Sequence, residues 1–211
     1  MSDDLLDDKA IAAADLSDWR RIGDALHTRL RTGDFATGLR LVNQIGDAAE
    51  AANHHPDLDL RYPHLNIRLS SHDKGGITDR DVALARQISG FAAAAGVTAD
   101  PSAVAVLEVV LDTPDHDQLK PFWRAILGYG DNPRNADELL DGAGSNPTMW
   151  FQKSGAEEPR QRFHIDIRVP ADVVEQRVAD AVAAGGTIVN RAKTFIHLAD
   201  AEGNACCVCQ C

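Results

Sequence analysis

Features that would direct this chain to a membrane or to nucleic acid are missing. No apolar run approaches the roughly 18 residues of a membrane-spanning helix, and the acidic start has neither the basic region nor the apolar stretch of a signal peptide. Lys and Arg total 21 against 32 Asp and Glu, and no basic run suits a phosphate backbone. The composition predicts a cytoplasmic protein with no nucleic-acid or membrane partner.

Cysteine is absent from most of the chain. All four cysteines lie at its end, at positions 206, 207, 209 and 211. This distribution excludes a framework of disulfides spread through the fold. The run ACCVCQC is typical of a strand in which Cys207, Cys209 and Cys211 share one face as small apolar residues. Zinc binding is the weaker alternative, since the spacing does not match a zinc knuckle.

The length of 211 residues and the apolar content of 44% suit two small α+β domains, each with its own core. Residues 1–16 are acidic and rich in alanine, and we expect a frayed or disordered lead-in there. We predict a first domain over 17–97, a linker over 98–103, and a second domain over 104–211.

Hydrophobic spacing predicts a hairpin and then a helix at the start of the first domain. The hairpin over 18–31 turns at Gly23, and apolar residues follow at every second position. Asp34 is a preferred N-cap, and the helix behind it should end near Asn53, because Pro56 disfavours a helical residue before it. The predicted buried stripe of this helix comprises Phe35, Leu39, Val42, Ile45 and Ala49.

A half-buried strand and a second helix complete the first domain. Apolar and polar residues alternate over 64–70, and the polar face of that strand continues to His72. Thr78 caps the second helix, with Asp81 as its capping-box partner. The predicted buried stripe of this helix comprises Val82, Ala85, Ile88 and Phe91.

Three histidines form the most informative pattern in the chain. His54 and His55 follow the predicted helix end, and His72 lies at the end of the next strand. Histidine titrates near pH ~6.5, so such a cluster can both give and take protons at neutral pH. From spacing alone, two other interpretations stay open: a hydrogen-bonding role at the helix end, and zinc ligation.

The run EAANHHPDLDLRYPHLNIRLSSHDKGGITDRDVALARQI resembles the signature of the pterin-4a-carbinolamine dehydratase family. That signature has a Glu before His-His-Pro, a later Tyr, a Ser/Thr-His, a Gly-Leu/Ile-Ser/Thr turn and an Arg-Asp pair. The resemblance extends over about residues 15–95, and many fixed spacings match at once. It implies a small antiparallel sheet with helices packed on one face.

The resemblance also implies which residues form the site. Its catalytic groups would be His54, His55 and His72, with Glu50, Asn53, Pro56, Tyr62, Arg80 and Asp81 as supporting or substrate-binding groups. Pro56 and Tyr62 would shape a slot for the pterin, although Tyr62 also suits core packing. Arg80 and Asp81 also suit a helix cap and a surface charge. Asn53 stands where some members have Asp.

The family reaction is the loss of water from 4a-hydroxytetrahydropterin (4a-hydroxytetrahydrobiopterin), which yields quinonoid dihydropterin. The departing hydroxyl needs a proton and a ring nitrogen must lose one, so histidines on either side of a flat heterocycle can supply both steps. The resemblance therefore implies a small-molecule pterin substrate and no metal or organic cofactor.

The second domain is predicted to contain two copies of one strand–helix–strands unit. Strands are predicted over 104–111, 148–153 and 163–169 and from 187 onward, helices over 119–127 and 172–184, and a loop over 129–147. The stretches FWRAILGYG, PTMWFQK, RFHIDIRV and DAEGNACCVCQ resemble the glyoxalase-like branch of the vicinal oxygen chelate superfamily. That resemblance implies a half-barrel of paired βαβββ modules.

The same resemblance bears on metal binding in the second domain. His164 matches the ligand that opens the second module in metal-using members, but the equivalent place in the first module, near Val106 or Leu107, is apolar. Cys207 stands where a Glu ligand is usual. The incomplete ligand set predicts that no divalent metal binds.

His164, Asp166 and Arg168 alternate with apolar residues, so they should share one face of a strand. That face could look into a cavity, as it can in this fold, or simply face solvent. Together with Cys207, these three residues form the candidate site of the second domain.

The favoured function is a dehydratase fused to a glyoxalase-like domain of unknown ligand. One alternative is a metal-dependent lyase or dioxygenase seated in the second domain, with the first domain regulatory; the incomplete ligand set weighs against it. Another is a non-catalytic protein that binds a small molecule. The complete histidine set favours the enzyme, and association into a homo-oligomer stays open.

Overall fold

The computed structural model describes residues 4–155, 163–199 and 205–210. The chain divides into two compact units, Met1–Val104 and Ala105–Cys211. Among the described residues, no helix combines the length and the hydropathy that crossing a membrane requires.

The first unit is an antiparallel sheet with helices against it. Its elements are α1 (Asp8–Ala13), β1 (Arg20–Ile22), β2 (Ala25–Arg31), α2 (Phe35–Ala52), β3 (Asp57–Arg61), β4 (His64–Leu69), α3 (Asp79–Ala94) and β5 (Thr98–Ala99). The main path of the sheet has the order β1-β2-β4-β3, and β5 pairs with β2. Alternate residues of β2 and β4, including Leu30, Leu65 and Ile67, are buried in one core with α2 and α3.

Local chemistry sets both ends of α2. The Asp34 carboxylate accepts a hydrogen bond from the Thr37 amide at the start, and Asn53 adopts the left-handed conformation at the end, with φ of 45°. The predicted stripe is partly wrong, because Phe35 and Leu39 are exposed. The buried face runs instead through Gly38, Leu41, Ile45 and Ala49.

A close approach explains which face of α2 is buried. A Cβ atom on Gly38 would stand 2.5 Å from Cδ1 of Leu60 on β3, so the helix approaches the sheet closely at a position without a side chain. The face through Gly38 therefore packs inward and turns Leu39 outward. In α3, Val82, Ala85 and Ile88 are buried as predicted, whereas Phe91 is only partly buried.

Two segments of the first unit differ from the sequence-based expectations, and the sequence made no prediction for a third. The lead-in is not frayed over its described part: it forms α1, and the Leu6 amide donates to the Ile77 carbonyl at 2.8 Å. The expected linker contains β5, and the Asp100 amide bonds to the Arg29 carbonyl at 2.7 Å. The stretch after Pro56 is the edge strand β3, in which two leucines alternate with exposed charged residues.

The second unit is an eight-stranded sheet built from two like modules. Its elements are β6 (Val106–Thr113), α4 (His116–Leu127), β7 (Gly130–Asp131), β8 (Glu138–Leu140), β9 (Thr148–Lys153), β10 (Phe163–Val169), α5 (Val174–Ala183), β11 (Thr187–Arg191), β12 (Phe195–Ala199) and β13 (Ala205–Gln210). The strand order is β11-β12-β13-β10-β6-β9-β8-β7. β6 and β10 pair antiparallel at the centre, and each pairs in parallel with the last strand of its own module.

This order confirms the predicted duplication of a βαβββ module. The loop expected over 129–147 contains the short strands β7 and β8, which complete the first module. Each module buries its own cluster on the helix side of the sheet: Leu111, Leu139, Met149 and Phe151 near α4, and Val169, Val174, Val178, Ile196, Leu198 and Val208 with α5. The opposite face of the sheet carries polar residues, including His164, Asp166 and Glu108, together with the buried apolar Val110.

Candidate functional site

The centre of the first unit's site is a buried pair of His54 and Asp81. The left-handed turn at Asn53 ends α2, and the His54 amide then bonds back to the Ala49 carbonyl at 3.0 Å. His54 is buried, and its Nε2 lies 2.8 Å from Oδ1 of Asp81, which is 0% exposed in the first turn of α3. The pair joins the end of one helix to the start of the other.

The second oxygen of Asp81 is fully engaged. Its Oδ2 accepts hydrogen bonds from the Ser71 hydroxyl at 2.7 Å, the Thr78 amide at 2.8 Å and the Thr78 hydroxyl at 3.3 Å. The amide contact completes the predicted capping box, which the structure confirms. Because a carboxylate only accepts hydrogen bonds, Nε2 of His54 is the donor and Nδ1 is left as the basic atom.

His55 and Glu50 form a separate and exposed pair. Nε2 of His55 lies 3.0 Å from Oε1 of Glu50, and both side chains face solvent. His54 and His55 are therefore neighbours in sequence but differ in surroundings, since one is held in the interior and the other is free to meet a substrate.

His72 lies in a turn rather than on the polar face of a strand. β4 ends at Leu69, and Ser71 opens a turn that closes on Gly76, which leaves the His72 side chain exposed. The Ser71 hydroxyl is bonded to Asp81, so the residue directly before His72 is anchored to the partner of His54. This contact keeps His72 at the same end of the unit as His54.

Arg80 and Asp81 are adjacent in sequence but have different roles. Arg80 donates to Asp73, the residue after His72, at 2.7 Å, and this hydrogen bond lowers the pKa of the Asp73 carboxyl. Arg80 thus stabilises the turn that carries His72 through an exposed contact with Asp73, while Asp81 stabilises the same turn through its buried contact with Ser71.

Pro56 and Tyr62, predicted to shape one slot together, lie at opposite ends of β3. Asp57, just after Pro56, pairs with Arg68 near the end of β4 where the histidines gather. Tyr62 lies in the turn before β4 and is 70% exposed, so it is neither a core residue nor near this cluster. The five residues of β3 separate Pro56 from Tyr62, which makes six residue steps, or about 20 Å at ~3.3 Å per residue.

A second polar cluster lies on the sheet of the second unit. On β10, Asp166 is 5% exposed, whereas Phe163 and Ile165 on the opposite face are each 40% exposed. The polar face of this strand is therefore enclosed around Asp166, which argues against the solvent-facing interpretation there and favours an inward-looking site.

Charged groups of β6 and β10 meet on that face. Arg168 donates from Nε to Oε2 of Glu108 at 2.7 Å. His164 lies between two carboxylates, with Nε2 at 3.4 Å from Oδ1 of Asp166 and Nδ1 at 4.0 Å from Oδ1 of Asp112. Sequence reasoning missed Glu108 and Asp112; the duplication was the available signal, since it aligns β6 beside β10.

Burial and charge shift several pKa values in this cluster. The adjacent carboxylate of Asp166 raises the pKa of the His164 imidazole. Burial raises the pKa of the Glu108 carboxyl, although Arg168 opposes the rise. Burial, together with the nearby Asp166, raises the pKa of the Cys207 thiol to about 12, so metal-free Cys207 is a neutral thiol at pH 7.

Cys207 and Cys209 share a face, as predicted. In the parallel pairing of β13 with β10, Cys207 lies opposite Asp166 and Cys209 opposite Arg168, while Cys206 packs on the core beside α5. Cys211 and the predicted motif Asp-x-Glu-Gly-Asn, at 200–204, lie outside the described residues.

Comparison with known protein families assigns both units. Residues 4–91 match the model of the family described as pterin 4 alpha carbinolamine dehydratase. Residues 108–209 match the model described as a glyoxalase-like domain. The two matches fall on the two units without overlap.

Individual relatives match the first unit. A protein of Nocardia farcinica with the provisional name pterin-4-alpha-carbinolamine dehydratase is 44% identical over 94 residues, which are 44% of this chain and 99% of that protein. One of Thermomicrobium roseum with the same provisional name is 40% identical over 41% of this chain and 96% of its own length. A crystal structure of a transcriptional coactivator/pterin dehydratase from Brucella melitensis is 25% identical, with a TM-score of 0.41 over 42% of this chain and 99% of that one.

Proposed function

The chain belongs to the pterin 4 alpha carbinolamine dehydratase family through its first unit, and we propose that this unit removes water from 4a-hydroxytetrahydropterin to give quinonoid dihydropterin. The observation that carries the proposal is the buried His54–Asp81 pair beside the exposed His55 and His72. One histidine is held in a fixed tautomer, and two others are open to a substrate.

The reaction needs two proton transfers and no oxidant. The C4a–oxygen bond breaks as the hydroxyl takes up one proton and leaves as water, and a ring nitrogen gives up one proton as the new double bond forms. Protons and electrons therefore balance within the substrate. General acid and base groups contribute roughly 10²–10⁴-fold each to such steps, so histidines alone can supply substantial catalysis.

We assign the proton transfers to His54 and His72 and substrate binding to His55. Asp81 fixes the proton of His54 on Nε2, which leaves Nδ1 as the atom that can accept one. His72, on the surface turn that Ser71 and Arg80 brace, can give a proton to the departing hydroxyl. His55 is exposed beside Pro56, where it can contact the pterin ring.

The dehydration rate of the full chain with synthetic 4a-hydroxytetrahydropterin, measured by stopped flow, tests the proposal. His54→Ala and His72→Ala should each slow dehydration by about 10²–10⁴-fold, and His55→Ala should at least weaken binding. His64→Ala is the matched control, because His64 begins β4 at the end opposite His72 and should cost little.

Circular dichroism of each variant separates loss of catalysis from loss of folding. His54→Gln serves as a second variant should His54→Ala unfold, because the amide keeps a donor for Asp81. The assignment is wrong if His54→Ala and His72→Ala keep the parent rate, or if His64→Ala is as harmful as they are.

A further inference from the structure

The second unit brings three different metal-ligating side chains together on one sheet face. His164, Asp166 and Cys207 each offer one ligand atom, and these atoms all lie within 4.8 Å of one another. Two of the three come from β10 and the third from β13, which pairs with it in parallel, so the backbone of the second module alone sets their spacing.

One ligand atom of this group lacks a hydrogen-bond partner. Oδ1 of Asp166 is buried and makes no hydrogen bond, although the residue is only 5% exposed. Its contact with Nε2 of His164, at 3.4 Å, does not have hydrogen-bond geometry. A buried carboxylate oxygen without a partner is costly, and a cation removes that cost.

The charge around Asp166 also favours a cation. The facing strands β6 and β10 carry the carboxylates of Glu108, Asp112 and Asp166 against the single guanidinium of Arg168. That guanidinium donates its Nε to Glu108 rather than to Asp166. A positive ion beside Asp166 would offset the excess of negative charge in a poorly hydrated place.

We propose that His164, Asp166 and Cys207 bind a thiophilic divalent cation of the Zn²⁺ class. Imidazole nitrogen, carboxylate oxygen and thiolate sulfur are the ligand atoms that zinc takes in proteins. At tetrahedral zinc, with bonds of about 2.0–2.3 Å, ligand atoms stand roughly 3.3–3.8 Å apart, so side-chain rotation can close the group. Three protein ligands leave a fourth position open to water or a small ligand.

This site differs from the metal-ligand set, shared by both modules, that the sequence analysis judged incomplete. There, metal binding was not expected because a set shared by both modules lacks its first-module member, near Val106 or Leu107. Val110, which pairs with His164 across the strands, is apolar as well. The set proposed here needs no residue of the first module. The expectation of no metal and the present proposal are therefore decided by the same measurement.

Cobalt titration of the metal-stripped full chain tests the site. We expect one Co²⁺ per chain, with a thiolate-to-cobalt charge-transfer band in the near ultraviolet that added Zn²⁺ abolishes. The band is specific to sulfur ligation, so the histidines of the first unit cannot produce it. Failure of Co²⁺ and Zn²⁺ to bind stoichiometrically at micromolar concentration would overturn the proposal.

Variants identify the ligands. Cys207→Ser should abolish the band, and Asp166→Asn and His164→Gln should each weaken cobalt binding by at least about tenfold. Cys206→Ser is the matched control, because the neighbouring thiol faces the core beside α5, and it should keep the band. Cys209→Ser, on the same face but outside the group, should keep it as well.

Thermal melting in the absence of metal confirms that each variant is folded before it is scored. Should Cys207→Ser fail to fold, the isosteric Asp166→Asn decides the question through its cobalt affinity. A band that survives Cys207→Ser, that is lost equally in Cys209→Ser, or an affinity that Asp166→Asn leaves unchanged would each refute this ligand set.

Discussion

Two buried aspartates, one in each unit, lie beside a histidine but differ in how their oxygens are satisfied. Asp81 is 0% exposed, and both its oxygens accept hydrogen bonds, from His54, Ser71 and Thr78. Asp166 is 5% exposed, and one of its oxygens accepts none. A carboxylate whose oxygens all accept hydrogen bonds holds the neighbouring histidine in position, whereas a buried carboxylate oxygen without a donor is stabilised by a bound cation. The same pair of residue types, aspartate and histidine, therefore suits two kinds of site.

The largest expected effect is on the rate when Asp81 is changed to Asn. The amide can still accept from Ser71 and Thr78, but it presents a donor to His54 and so moves the proton of the ring from Nε2 to Nδ1. Because Nδ1 is then no longer basic, we expect kcat to fall by about 100-fold or more with a smaller change in KM.

Stopped-flow kinetics over a range of pH measures this effect, and Asp59→Asn is its control. Asp59 is an exposed carboxylate on β3 that pairs with Arg61, so its variant should keep the parent rate. An Asp81→Asn protein that is folded and retains full kcat would show that Asp81 does not position His54.

Regular spacing made most elements predictable. Alternation predicted a strand over 163–169, and the structure has β10 over Phe163–Val169. The N-cap Asp34 and the turn after Asn53 bracketed α2, because cap chemistry is local. The face of α2 was not predictable in the same way: two apolar stripes compete in its sequence, and the close approach of Leu60 to Gly38 decides between them.

The sequence identified candidate residues for the site, but it did not show which of them are in contact. The family motif pointed to His54 and Asp81, yet the hydrogen bond between residues 27 apart in sequence arises only when α2 and α3 pack together. The distance between Tyr62 and Pro56 was not predictable, because their spacing in the sequence does not reveal the strand that separates them. In the second unit, Glu108 stands in an apolar run, and the pairing of β6 with β10 places it opposite Asp166.

The first unit also contains a half-buried histidine, His27 on β2, whose surroundings disfavour its charged form. Burial, with Arg68 nearby, lowers the pKa of His27 from 6.5 to about 4, although Asp24 and Asp57 oppose the shift. Arg20, opposite His27 on β1, also lies on this face. The unfolded chain therefore binds the proton more readily, and the stability that neutral His27 contributes is lost as pH falls from about 6.5 towards 4.

We expect the parent protein to lose about 2 kcal/mol of stability more than His27→Gln between pH 7 and pH 4.5, allowing for partial hydration of the ring. Calorimetric melting of both proteins over that range measures the difference. Parallel stability curves would show that His27 is not held neutral by its surroundings.

The capping box gives a smaller effect, confined to the first unit. Thr78 caps α3 through its hydroxyl and bonds to Ser71 and Asp81, whereas Val173, the N-cap residue of α5, makes no capping hydrogen bond with its side chain. Thr78→Val should lower the free energy of unfolding by about 1–2 kcal/mol, and Thr78→Ser should retain most of it. Urea denaturation compares the two, and equal loss in both would show that the methyl group, not the hydroxyl, matters.

The smallest effect is expected where the carboxylate is unsatisfied. In the metal-free protein, Asp166→Asn removes a buried charge whose Oδ1 has no hydrogen-bond partner, so the free energy of unfolding should change by less than about 1 kcal/mol or rise. The same substitution at Asp81 disturbs an oxygen with a full set of donors and should cost more. Urea denaturation of both variants in the presence of a chelator gives the comparison. If Asp166→Asn is as destabilising as Asp81→Asn, then Asp166 has a protein partner in solution, and the contrast between the two aspartates fails.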